Sequence, residues 1–108
     1  MTAAADNFNT SSIPASIRFG MELLKEAGKE QPDLQKMQDL IDRNANTECR
    51  NEHNYTPLLA AVTKGNVAAA ELLIDNGADK YAKVGEATAL FYALGYNNLP
   101  MTKMLLDT

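Results

Sequence analysis

The sequence contains no tryptophan, one cysteine, one histidine, and an aromatic complement of four Tyr and three Phe. A single Cys49 excludes an internal disulfide, and with it the stapled scaffold of small extracellular domains. Basic charge is scarce: ten Lys and Arg, scattered and never in a run, face fourteen Asp and Glu, for a formal net charge of -4. That balance excludes a general nucleic-acid binder relying on excess positive charge. No apolar run approaches the roughly 20 residues of a membrane span. The amino terminus, "MTAAADNFNTSS", lacks the basic start and apolar stretch of a secretory signal. A single domain in the cytoplasm, or elsewhere inside a cell, is expected from these 108 residues.

Scarcity also limits chemistry. Cys49 and His53 are close in "CRNEHN", but with Glu48 or Glu52 they make a poor zinc set on a connecting segment. As a nucleophile pair they lack a sheltering pocket, so a solvent-facing His53 and a small, partly buried Cys49 are expected. There is no phosphate-cradling glycine loop, zinc-protease helix motif or nucleophile elbow. The isolated Gly85 and Gly95 read as turn or close-packing residues. Acidic pairs such as Asp39 with Asp42 read as solvated faces. No enzyme, cofactor, metal or small-molecule substrate is expected.

What the chain does have is self-similarity. "TPLLAAVTKGNVAAAELLIDNGAD" from Thr56 aligns with "TALFYALGYNNLPMTKMLLDT" from Thr88 at an offset of 32, pairing Leu58 with Leu90, Ala61 with Ala93 and Leu73 with Leu105. "LIDRNAN" from Leu40 aligns with "LIDNGAD" from Leu73 at an offset of 33. The one-residue difference falls in a connection, which tolerates a deletion without rotating a buried face. Each period reads as a short helix, a turn, a second helix and an extended connection.

In the central period Thr56 caps a helix that Pro57 opens, and Gly65 with Asn66 leaves it through a left-handed turn. That helix is shorter than the roughly 12 to 15 residues an isolated helix needs, so it must lean on neighbours. Leu58, Ala61, Leu73 and Ile74 are expected between helices. Gly77, and Asn97 in the following period, suit left-handed exits.

These residues resemble the ankyrin repeat. In "NYTPLLAAVTKGNVAAAELLIDNGADKYAK" the residues Thr56, Pro57, Leu58, Ala61, Gly65, Leu72, Leu73, Gly77, Ala78 and Asp79 all stand at the family's spacing. The following unit keeps Thr88, Leu90, Ala93, Leu105 and Leu106 but has Ala89 for Pro and Asn97 for Gly. The family's histidine is replaced by Leu59 and Phe91, so an apolar contact must substitute for its polar cross-link. The resemblance implies an all-α fold, an ankyrin-repeat-like α-solenoid of about three helix-turn-helix units with extended finger loops. Its units fall at approximately 12–50, 51–83 and 84–108, after a disordered or loosely attached 1–11.

The first unit keeps the architecture without the motif. Ser12 or Ser16 is expected to cap its first helix and Pro32 to open its second. Leu24, Leu34, Met37, Leu40 and Ile41 form one apolar face against a polar remainder, as a terminal cap requires. At the other end Met101, Met104, Leu105 and Leu106 show no polar substitution. An exposed apolar end is therefore expected, with the chain a fragment of a longer repeat protein or in contact with a partner there. It is a monomer unless that face self-associates.

Function by resemblance is non-enzymatic binding of another protein, with no nucleic acid or membrane involved. The partner lies in the concave groove formed by fingers and inner helices. The positions that map there are Glu52, His53, Tyr55, Thr63 and Lys64, then Lys83, Val84 and Tyr96, with Glu86 beside them. Tyr55, Tyr81 and Tyr96 carry most weight as amphipathic aromatics. The alternative is the targeting domain of a larger enzyme or a bacterial effector, acting in the host cell cytoplasm, with its catalytic part outside this chain.

Overall fold

A computed structural model describes residues 13–108. The first eleven residues, and Ser12 as a candidate cap, lie outside the described part. Six helices follow in order: α1 (Ala15–Ala27), α2 (Leu34–Asp42), α3 (Pro57–Thr63), α4 (Val67–Asp75), α5 (Ala89–Gly95) and α6 (Leu99–Asp107). They form three antiparallel pairs. The inner helices α1, α3 and α5 stack on one another, and the outer helices α2, α4 and α6 form a second row behind them.

Local chemistry repeats from pair to pair. Thr56 Oγ1 accepts from the Leu59 amide at 3.2 Å, ahead of Pro57 in the first turn. Asn66 and Asn98 cap α4 and α6 through their side-chain oxygens, which accept from Ala69 N at 2.8 Å and Met101 N at 3.1 Å. Each satisfies an amide that the helix itself leaves unpaired. Gly65 at φ 73° and Asn97 at φ 56° make the left-handed turns inside the central and third pairs, and Gly77 leaves α4 at φ 94°. Asn44 does the same after α2 at φ 66°.

The first pair departs from the expected caps. Ser16 sits inside α1, which begins after Pro14 without a side-chain cap. The second helix starts at Leu34 rather than at Pro32, because Asp33 adopts the extended capping conformation and its carboxylate accepts from Lys36 N at 3.2 Å. The longer connection between these helices is held by Glu26, a carboxylate only 4 % exposed. Its Oε2 accepts from Asp33 N at 2.8 Å, and Oε1 lies 3.0 Å from Lys29 Nζ and 3.8 Å from Lys36 Nζ.

The amide of Asp33, then the two ammonium groups, hold the Glu26 pKa below its ordinary value against the opposing pull of burial. A depressed folded pKa gives stability that is fully present above the unfolded glutamate pKa and is lost as pH falls through the folded value. Glu26→Ala is therefore expected to cost roughly 1 to 3 kcal/mol at neutral pH. Urea unfolding at about pH 3 should show the difference between variant and parent shrinking. An undiminished difference there would show that the carboxylate charge contributes nothing.

The core runs continuously through all three pairs. Leu58, Ala61 and Leu73 are buried as expected, but Ile74 is only half-buried. On the first pair's apolar face, Leu24, Met37 and Leu40 are buried, whereas Leu34 is exposed. Leu59 is 1 % exposed, so an apolar side chain fills the position of the family's histidine in the central pair, whereas Phe91 at the same position of the third pair is 62 % exposed. Met101, Met104 and Leu105 do not form an exposed end: they are buried against the rest of the stack, and of the four residues expected there only Leu106 is exposed.

Polar straps join successive periods. Arg50 Nη1 donates to Lys83 O at 2.7 Å and to Asn54 O at 2.8 Å, tying one finger to the next. Glu48 Oε2 accepts from Asp79 N at 3.2 Å, and the Gln38 and Asn76 amides pair between α2 and α4.

Candidate functional site

The fingers are short turns built on left-handed residues. In the central one, Asn51 N donates to Tyr55 O at 3.1 Å, and Asn54 N donates to Asn51 O at 2.8 Å with Asn54 at φ 66°. In the next, Val84 and Ala87 exchange both backbone hydrogen bonds across Gly85, at φ 63°. Gly85 is thus a turn residue. The turn points its tip outward and keeps the Val84 side chain half-buried against the core.

Between the central finger and the inner helices lies an open groove of about 440 Å³, lined by Gly28, Asn51, His53, Tyr55, Ala60, Thr63, Lys64 and Tyr96. Five of the eight expected positions meet here, drawn from the finger, from α3 and its end, and from the turn after α5. Thr63 spends its hydroxyl proton on Ala60 O at 2.9 Å, which leaves its oxygen facing the groove as an acceptor. Tyr96 is 59 % exposed and ready to be covered.

Glu52 falls in an adjoining groove of about 520 Å³, which shares Gly28, Asn51 and Ala60 with the first and adds Met21, Leu24, Lys25 and Arg50. Lys83 and Val84 line neither groove: the Lys83 carbonyl receives the Arg50 strap, and Val84 packs inward. Tyr81 is exposed but lines neither, with the Lys80 ammonium 5.4 Å from its ring centre.

A row of aromatic rings supports the first groove. His53 and Tyr55 are 5.9 Å apart between centroids, Tyr55 and Tyr92 meet edge to face at 5.8 Å, and Tyr92 meets Phe91 at 6.0 Å. Edge-to-face pairs of this kind add to area burial in fixing a ring. Burial, with the Tyr55 phenol beside it, pushes the Tyr92 hydroxyl pKa up and keeps it a neutral donor. Tyr92 was not among the expected residues because it occupies the place of Ala60 in the preceding pair. Met21 and Lys25 were also missed, although their spacing with Gly28 along α1 follows a helical face and was the available signal.

Cys49 is half-buried with its thiol 3.9 Å from Ile17 O, and burial followed by the nearby Glu48 charge pushes its pKa up, away from a reactive thiolate. His53 and Glu52 face each other at 3.9 Å with both side chains exposed. Among the described residues no helix is long and apolar enough to cross a membrane.

Comparison with known proteins agrees with the repeat fold. The family model described as ankyrin repeats in three copies matches residues 24–108. An ankyrin repeat protein of Acanthamoeba polyphaga mimivirus is 39 % identical over 74 residues, covering 63 % of this chain and 46 % of the viral protein. The crystal structure of the human ASB11 ankyrin repeat domain superposes with a TM-score of 0.67 at 28 % identity, covering 79 % of this chain and 38 % of that one. The chain thus spans less than half the length of either. With the helix pairs, the left-handed exits and the fingers already in place, the match over 24–108 establishes that this chain belongs to the ankyrin repeat family.

Proposed function

We propose that this chain binds a partner protein through the concave groove between its fingers and inner helices. Ankyrin repeats serve in general as protein-protein interaction modules. The observation that supports this particular surface is the convergence of His53, Tyr55, Thr63, Lys64 and Tyr96 on one groove, over an aromatic row that holds Tyr55 in place. Tyrosines such as Tyr55 and Tyr96 are amphipathic aromatics of the type that carries binding energy at little entropic cost, and Lys64 adds a charge for a partner's carboxylate.

The test is an affinity capture comparing the parent chain with Tyr55→Ala, Lys64→Ala, Tyr96→Ala combined. If the groove is the surface, capture of specific partners falls at least about tenfold, since one such anchor commonly contributes above 1 kcal/mol. Far-UV circular dichroism must stay unchanged for the result to count. A folded variant that keeps every partner would place binding elsewhere.

A second reading, in which the same groove targets a larger enzyme or an effector, is favoured by the length of the relatives, each more than twice the part this chain matches. The reading frame beyond Thr108 tests it: a catalytic domain in frame supports the reading, and a stop codon removes it.

A further inference from the structure

In a chain of net charge -4, the two adjoining grooves carry the opposite sign. Lys25, Arg50 and Lys64 line them, against Glu52 as the one carboxylate among the described residues. The ion pairs among those residues lie on Glu26 and Asp39, with His53 facing Glu52, so Lys25 and Lys64 have no carboxylate partner there. Arg50 donates to the carbonyls of Asn54 and Lys83, which leaves its charge uncompensated. Lys25 stands in the last turn of α1 and Lys64 directly after α3, where the helix dipole suits a cation without an acidic neighbour.

Gly28 joins the two grooves, and the backbone does not require a glycine there. Its conformation is right-handed, at φ -84° and ψ 0°, which any residue adopts. A β-carbon at Gly28 would meet Leu24 O at 3.5 Å and Ala60 Cβ at 3.8 Å, both ordinary contacts. What the missing side chain does is keep the passage over Ala60 open from one groove to the other. Beside it Met21, 52 % exposed, gives the wider groove a pliable apolar floor. The path from Met21 to Lys64 is enclosed by the first and central pairs alone.

We propose that the partner presents an acidic segment, laid across Gly28 with an apolar side chain on Met21 and carboxylates toward Lys25 and Lys64. This rests on the groove reading above and narrows it to one chemistry. Complementary charge governs approach and choice of partner more than final affinity, and a basic segment would meet three uncompensated cations.

Selection of a random-peptide phage library on the full 108-residue chain is expected to return sequences with Asp or Glu flanking an apolar residue. A labelled synthetic peptide of the enriched sequence, followed by fluorescence anisotropy, should lose at least about tenfold in affinity when Lys25→Glu and Lys64→Glu are combined, and should bind the parent more weakly as salt rises. Both lysines are exposed, so the reversal leaves the packing intact. Gly28→Leu should cause a similar loss with unchanged circular dichroism, because its β-carbon has room and the rest of the side chain fills the passage. Neutral or basic peptides that the Tyr55→Ala, Lys64→Ala, Tyr96→Ala variant fails to bind would overturn the acidic partner and leave the groove reading standing. Acidic peptides that bind that variant and the charge-reversed one as tightly as the parent would overturn both. The absence of any enriched peptide overturns the proposal, and undiminished binding to a folded Gly28→Leu variant overturns the path across Gly28.

Discussion

Leu73→Ala is expected to destabilise the chain by roughly 3 to 5 kcal/mol, and Leu58→Ala by roughly 2 to 5 kcal/mol. The two leucines are 0 % and 1 % exposed, on the two helices of the central pair. Truncation removes their transfer free energy and leaves a cavity whose cost depends on how far the walls relax. Here the walls relax little: eight of the eighteen residues in the core cluster are alanine, with no rotamers to swing into a void. Close helix packing on alanine is what makes the cavity persist.

Position along the stack adds to the effect. In a solenoid each unit is stabilised by its neighbours, and the central pair holds both interfaces. Weakening it uncouples the first pair from the third. Leu40 and Leu105 occupy the positions of Leu73 in the flanking pairs, each of which meets one other pair among the described residues, so in this 108-residue chain Leu40→Ala and Leu105→Ala should cost less. Against a total of about 5 to 15 kcal/mol, the central substitutions remove a large share. Urea unfolding checks this; a loss below about 1 kcal/mol for both Leu58→Ala and Leu73→Ala would contradict the packing.

Why these leucines were legible in the sequence, and other features were not, follows from what a repeat reveals. Thr56, Pro57, Gly65 and Gly77 act locally, through a cap or a left-handed turn, and an echo one period away marks each of them. Glu26 acts across seven residues on the amide of Asp33, in the one connection that has no echo, so no periodic comparison could find it. Met101, Met104 and Leu105 were misread for a different reason. An outer helix buries one side against its own partner and another against the preceding pair, so an apolar run that looks surplus to one interface is filling two.

The groove was legible in the same partial way. His53, Tyr55, Thr63, Lys64 and Tyr96 map there by family position, and the structure brings them together. Val84 and Lys83 map to the finger as well, but the two-residue turn at Gly85 and Glu86 directs Val84 inward and uses the Lys83 backbone as an acceptor. Which side of a finger a residue takes depends on turn geometry, which family position alone does not carry.

Gly20→Ala should destabilise the chain by about 1 to 2 kcal/mol net, while Gly95→Ala should stabilise it by about 0.5 to 1 kcal/mol, although both glycines lie in helices. A β-carbon at Gly20 would fall 2.5 Å from Cys49 Sγ and 2.6 Å from the Asn46 carbonyl oxygen. The segment carrying both lies back on α1 and is pinned there, with Asn46 N donating to Ser16 O at 2.9 Å. Sulfur at the end of a side chain can rotate aside, but the carbonyl can move only by shifting the pinned backbone. Overpacking costs roughly 1 to 3 kcal/mol, and an approach below 3.0 Å to backbone puts this site at about 2 to 3 kcal/mol, which outweighs the gain of about 1 kcal/mol from alanine's helix propensity. At Gly95 nothing stands within 4 Å, so the propensity and unfolded-state gains are unopposed.

Thermal melts of the two variants should therefore move in opposite directions, by about 4 to 8 °C for each kcal/mol in a domain of this size. Adding Cys49→Ala to Gly20→Ala should recover part of the loss and not all of it, because the Asn46 carbonyl remains. Full recovery would show that the sulfur alone sets the close approach, and a Gly20→Ala variant as stable as its parent would show that the segment after α2 does not rest on α1 as described.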